Sequence, residues 1–84
     1  MTDTLNFAVY SKDGCPNCSK VEKVLDLAGL NSVIYKLDKN FDKKSFFGEF
    51  GEGSTFPQVV CDGNRLGGCV GTIKFLKEKE IIKS

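Results

Sequence analysis

Cys15 and Cys18 are separated by two residues in the stretch "YSKDGCPNCSK" (Tyr10 to Lys20). Two thiols at that spacing suit three chemistries: metal ligation, a structural disulfide, or thiol–disulfide exchange. A structural zinc site needs about four ligands. The remaining cysteines, Cys61 and Cys69, form no second close pair, and the chain has no histidine. Their separation matches no common zinc spacing, so no metal site is expected. The missing histidine also removes cysteine–histidine nucleophile pairs and imidazole general bases. A disulfide that closes so small a loop would stabilise little. Exchange is the chemistry that remains favoured.

Pro16 suits the first position of a helix, where its missing N–H costs nothing. Cys15 then falls at the loop-to-helix boundary and Cys18 one turn in. The unpaired N–H groups and positive dipole end of a helix start favour a thiolate at Cys15, and Lys12 adds positive charge upstream. Cys18 lies on the apolar face, which disfavours charge. The two sulfurs therefore receive different work. Cys15 attacks a disulfide, and Cys18 releases the product by closing the Cys15–Cys18 bond.

Such a pair must be held by a scaffold, and its elements are legible along the chain. "LNFAVYS" (5–11) is rich in apolar and β-forming residues, alternates poorly, and reads as a buried strand. Cys18, Val21, Leu25 and Ala28 recur at helical spacing, which predicts a helix over 16–28 with Gly29 as its stop. "SVIYKLD" (32–38) is a second strand. Asp42 is placed to cap a short helix through Phe50 that buries Phe46, Phe47 and Phe50. "PQVVC" and "NRL" read as strands joined at Asp62-Gly63, a two-residue hairpin signal. After the turn at Gly67-Gly68, a last helix over 70–78 offers Val70, Ile73, Phe75 and Leu76 to the core. Ile81 and Ile82 are expected to pack at the end. The lysines of 36–44 and 74–79 read as solvated faces. The order β-α-β-α-β-β-α predicts an α/β fold: a four-stranded mixed sheet flanked by helices, with a parallel first βαβ unit.

The chain of 84 residues fits a single domain, 1–84. Its 12 basic and 11 acidic residues balance to +1, which gives no reason to expect a nucleic-acid surface or an anionic membrane. With no long apolar run and no signal-peptide pattern, a cytoplasmic monomer is the default expectation.

Four segments together resemble the glutaredoxin family of the thioredoxin-like fold. "YSK" is similar to the family's tyrosine-threonine-lysine segment, and "CPNC" to its cysteine-proline-tyrosine-cysteine motif. "TFPQV" (Thr55 to Val59) resembles the threonine-valine-proline loop, and "NRLGGC" (Asn64 to Cys69) the double-glycine turn. The resemblance spans nearly the whole chain. It implies reduction of protein disulfides and glutathione mixed disulfides, with glutathione as co-substrate and no tightly bound cofactor. It also implies a glutathione site at Lys12, Asn17, Thr55, Phe56, Pro57, Gly68, Cys69 and Val70. There Lys12 would meet a glutathione carboxylate. Pro57 would be cis and expose the Phe56 backbone for strand-like pairing. The N–H groups near Cys69 and Val70 would bind the γ-glutamyl carboxylate. Two positions depart from the family. Asn17 replaces the usual tyrosine, and "CVGT" lacks the acidic residue that often follows the double glycine.

These departures keep a second reading open: a redoxin reduced by thioredoxin reductase, with ribonucleotide reductase as a possible partner. A third is a carrier in which two Cys15 thiolates and two glutathiones hold a [2Fe–2S] cluster; the stiff turn at Pro16 argues against it. Cys61 reads as a small core residue. Cys69 reads either as packed at the helix start or as a regulatory thiol. The Phe56 ring, beside the proline, is a candidate contact for protein substrates.

Overall fold

The computed structural model describes residues 5–80; the expected packing of Ile81 and Ile82 lies outside them. The elements are β1 (Asn6–Ser11), α1 (Pro16–Leu27), β2 (Asn31–Lys36), α2 (Lys43–Phe50), β3 (Gln58–Cys61), β4 (Asn64–Gly67) and α3 (Cys69–Glu78). Their order is the expected one. The strands form one four-stranded sheet, β2-β1-β3-β4, in which β1 and β2 run parallel and the other two pairs antiparallel. This is the thioredoxin-like arrangement.

Local chemistry explains the boundaries. Gly29 follows α1 with φ +71, a conformation that side chains with a Cβ avoid. Asp62 (φ 49) and Gly63 (φ 88) both adopt the positive φ that a type I′ hairpin requires. Asp42 caps α2, and its carboxylate accepts the Ser45 N–H at 2.8 Å. That bond holds the Asp42 carboxyl below the usual range.

Phe7 and Val9 of β1, Val59 and Cys61 of β3, Val21 and Leu25 of α1, and Leu76 of α3 form the core on one face of the sheet. Burial along β1 does alternate, with Phe7, Val9 and Ser11 fully buried. The alternation is hidden in the sequence because Ala8 and Tyr10 are themselves apolar. Both point to the opposite face, where Tyr10 meets Phe50 of α2.

On that second face only Phe46 of the three expected rings is fully buried; Phe47 and Phe50 are half-buried. The helix stands off the sheet and reaches it through rings. Phe46 stacks on Phe56 (4.2 Å between centroids), and Phe50 meets Tyr10 edge-on (5.1 Å). Phe50 is the last residue of α2, and the Arg65 guanidinium lies over its ring, 5.2 Å from the centroid. Arg65 is held there by Glu49 at 2.6 Å.

α3 begins one residue earlier than expected, at Cys69, and its buried stripe differs too. Thr72 and Leu76 are fully buried, Ile73 and Phe75 partly, and Val70 is 82% exposed rather than in the core. The stripe runs through Cys69, Thr72 and Leu76 at helical spacing, and position 70 falls outside it. The Thr72 hydroxyl donates to the Gly68 carbonyl at 2.9 Å, so its burial leaves no polar atom unpaired.

Candidate active site

β1 ends at Ser11, and four residues carry the chain to the start of α1. Cys15 is the N-cap of that helix, and its sulfur accepts the Cys18 N–H at 3.3 Å. Serine, threonine or aspartate usually supplies this contact from N-cap to N3. The two-residue gap of the motif is therefore also a capping geometry: the second cysteine's N–H is the donor best placed for the first cysteine's sulfur. α1 has no acidic residue in its first turn, so its positive end stays available to that sulfur.

Cys18 is 1% exposed. Burial, and then the hydrogen bond with Cys15, push its thiol up to about 12. Cys18 is thus neutral at physiological pH, while Cys15 is partly open to solvent. The expected asymmetry of the pair is present in its burial. An alkylation experiment reads it directly. At about pH 8, iodoacetamide should label Cys15 and leave Cys18 and Cys61 unmodified, as mass spectrometry of the peptides would show. Equal labelling of Cys15 and Cys18 in the folded protein would contradict it.

The loop before β3 packs against the dithiol. The Phe56–Pro57 peptide bond is cis, and Pro57 is buried. The Phe56 carbonyl lies 3.9 Å from the Cys15 sulfur. What Phe56 presents to Cys15 is thus its backbone. Its ring turns the other way: it is half-buried on Phe46, with the Lys12 ammonium 5.4 Å from its centroid. The ring is therefore not a free contact surface, because α2 already occupies it. The neighbouring Thr55 is exposed, and its carbonyl accepts from the Gln58 amide at 2.8 Å.

α3 completes the cluster. A Cβ on Gly68 would sit 3.4 Å from the Pro57 carbonyl oxygen, so the start of α3 abuts the proline loop. Gly68 is the N-cap and brings no side-chain cap. Among the described residues no side chain caps the first-turn N–H groups of α3, those of Cys69 and Val70 included. Cys69 is half-buried against the core and Val70 is exposed, as is Asn17 near the start of α1. Gly71 has its own steric reason. A Cβ there would overlap the Leu66 carbonyl oxygen, so α3 crosses β4 at backbone contact.

The fold thus gathers Cys15, Cys18, Phe56, Pro57 and Gly68, with Lys12 above the Phe56 ring. Cys61 lies at the far end of β3, opposite Phe7, whereas Gln58, beside the proline loop, pairs with Tyr10. Burial raises its thiol, with Asp62 adding to the effect, so it is a core residue. No three Cys, Asp or Glu side chains converge to hold a metal ion among the described residues. Sequence reasoning missed Ser11, fully buried with its hydroxyl donating to the Tyr35 carbonyl at 3.3 Å. It also missed Lys36, which reaches Glu22 (3.7 Å) on α1 and Asp13 (3.9 Å) in the loop before Cys15. Only the polar character of serine inside an apolar strand hinted at the first.

The glutaredoxin family profile matches residues 7–66, from β1 through β4. The chain belongs to the glutaredoxin family. Glutaredoxin-C6 of Oryza sativa subsp. japonica is 31% identical over 77 residues, 88% of this chain and 69% of the relative. Among solved structures, buckwheat glutaredoxin in complex with glutathione superposes with a TM-score of 0.74 and 26% identity, covering 89% of this chain and 71% of that one. Glutaredoxin 1 from Francisella tularensis, complexed with cacodylate, shares the fold with a TM-score of 0.76 at 21% identity, over 95% of this chain and all of that one. Membership makes this chain a thiol–disulfide oxidoreductase. No helix among the described residues is long and apolar enough to cross a membrane.

Proposed function

We propose that this glutaredoxin reduces protein disulfides and glutathione mixed disulfides in the cytoplasm, with glutathione as its electron donor. The observation that carries the reading is the capped Cys15 sulfur lying against the backbone of a cis-proline loop, with Cys18 buried behind it. The likeness to a glutaredoxin that binds glutathione supports the choice of donor.

The Cys15 thiolate attacks one sulfur of a substrate disulfide and the other sulfur leaves as a thiolate. If the substrate is a glutathione mixed disulfide, glutathione stays on Cys15, and a second glutathione thiolate displaces it as oxidised glutathione. If the substrate is a protein disulfide, Cys18 loses its proton and attacks the Cys15 sulfur. The protein leaves as a dithiol, and the Cys15–Cys18 disulfide is later reduced by two glutathiones. Phe56 would pair its backbone with the cysteinyl part of glutathione. Lys12 would meet a carboxylate as a point charge. The N–H groups of Cys69 and Val70 would take the γ-glutamyl carboxylate, with Gly68 permitting the close approach. Thr55 would shape the proline loop, and Asn17 would border the groove.

The test is NADPH consumption during turnover of a glutathione mixed disulfide by the protein, glutathione and glutathione reductase. Sustained turnover is expected. Turnover with thioredoxin reductase alone would overturn glutathione as donor and favour the redoxin reading that Asn17 raises.

A further inference from the structure

The outer face of α3 carries an exposed apolar strip beside the dithiol. Val70 is 82% exposed and, with Ile73, Lys74, Lys77 and Glu78, lines a groove of about 430 Å³. The groove begins two residues after the turn that meets the proline loop. Gly68 abuts Pro57, whose neighbour Phe56 touches the Cys15 sulfur, and Val70 follows two residues later. From Val70 to Lys77 the helix advances roughly 10 Å, the span of a few residues of extended chain.

Its lining is net positive, with Lys74 and Lys77 against Glu78. Neither α1 nor α3 has an acidic residue in its first turn, so no carboxylate there offsets either positive helix end. Lys12 is exposed before α1, Lys74 midway along α3 and Lys77 in its last turn, beside Glu78, the one acidic residue lining the groove. Two copies of this chain meeting through the groove would bring more lysines than glutamates together, and that excess of like charge disfavours self-association.

We infer that this face of α3 is a docking groove for protein substrates, taking an apolar side chain from a segment whose neighbouring residues are acidic. The inference rests on the disulfide-exchange reading of the dithiol but not on the identity of its electron donor. Val70 and Ile73 would receive the apolar side chain, and Lys74 and Lys77 would meet the carboxylates. The cysteine of the same segment would then lie over Cys15.

Single-turnover kinetics of the pre-reduced protein test this without glutathione. Two peptides share one leucine and one cysteine, the cysteine carried as a mixed disulfide with thionitrobenzoate; one has acidic flanks and the other lysine flanks. Cys15 displaces thionitrobenzoate, Cys18 then displaces the peptide thiol, and release of the coloured anion is followed. The acidic peptide should react about tenfold faster at low salt, with the gap narrowing as salt rises. Lys74→Glu/Lys77→Glu should reverse the preference and Ile73→Asp should slow both peptides. All variants should keep the wild-type rate on the uncharged hydroxyethyl mixed disulfide. Equal rates for the two wild-type peptides, or a preference that survives in Lys74→Glu/Lys77→Glu, would overturn the inference. So would a dimer in sedimentation that Ile73→Asp dissociates, or binding to anionic vesicles without peptide preference. If glutathione turnover fails while peptide selectivity holds, the donor assignment falls and the groove stands.

Discussion

Cys15→Ser is expected to lower reduction of every disulfide substrate by at least about three orders of magnitude, because it removes the only sulfur placed to attack. The fold should not suffer. Serine is a good N-cap, so its oxygen can take over the Cys18 N–H that the Cys15 sulfur now accepts. An unchanged urea midpoint would show that chemistry alone was lost. Cys18→Ser should divide the two activities. The hydrogen bond to Cys15 comes from the backbone of residue 18, so it survives the change, and so does the nucleophile's position. Protein-disulfide reduction should fall at least about a hundredfold, because the intermediate loses its internal exit. Deglutathionylation should stay within about threefold of wild type, because a second glutathione resolves that intermediate from solution. The two substrates assayed side by side on both variants check this. Equal loss of deglutathionylation in Cys15→Ser and Cys18→Ser would mean that the roles are wrongly assigned.

The difference in burial between Cys15 and Cys18 was legible in the sequence because it is a local matter. Pro16 marks the first turn of α1, the motif spacing follows from that turn, and the apolar periodicity puts Cys18 on the inner face. The caps at Asp42 and Gly29 and the turn at Asp62-Gly63 were readable for the same reason: a few adjacent residues decide the backbone. Val70, Phe50 and the Phe56 ring were not. Whether each is buried depends on which element lies across from it, and three helices around a small sheet cannot cover every apolar side chain. Val70 is as hydrophobic as Val21, but it lies off the stripe that α3 turns to the core. Phe56 sits in a loop without periodicity, and its ring direction is decided by Phe46, ten residues earlier. Ser11 gave only a faint hint, a polar residue in an apolar strand, and its role shows once its hydroxyl is seen to reach the Tyr35 carbonyl.

Gly71 shows how a departure from the family pattern acquires a physical cause. In sequence it belongs to "CVGT", the segment that lacks the acid often following the double glycine in the family, so it reads as a missing charge. In the fold it is where α3 meets the Leu66 carbonyl, and any side chain would collide with that oxygen. Gly71→Ala should therefore destabilise the protein by about 3 kcal/mol, the upper part of the range for overpacking, because the obstacle is backbone in the β4–α3 connection and not a flexible side chain. The higher helix propensity of alanine returns at most about 1 kcal/mol. For a domain of this size the net loss should appear as a fall in melting temperature of roughly 10 °C. Gly71→Asp should be worse, so the family's charge cannot be restored there. Val70→Asp is the contrast. Position 70 is open to solvent in the first turn of α3, where a carboxylate complements the helix dipole and should leave the melting temperature unchanged or slightly raised. Thermal melts of the three variants decide the matter. If Gly71→Ala melted like the parent, the close crossing of α3 over β4 would not be part of the fold in solution, and the missing acid would again need an explanation in ligand choice.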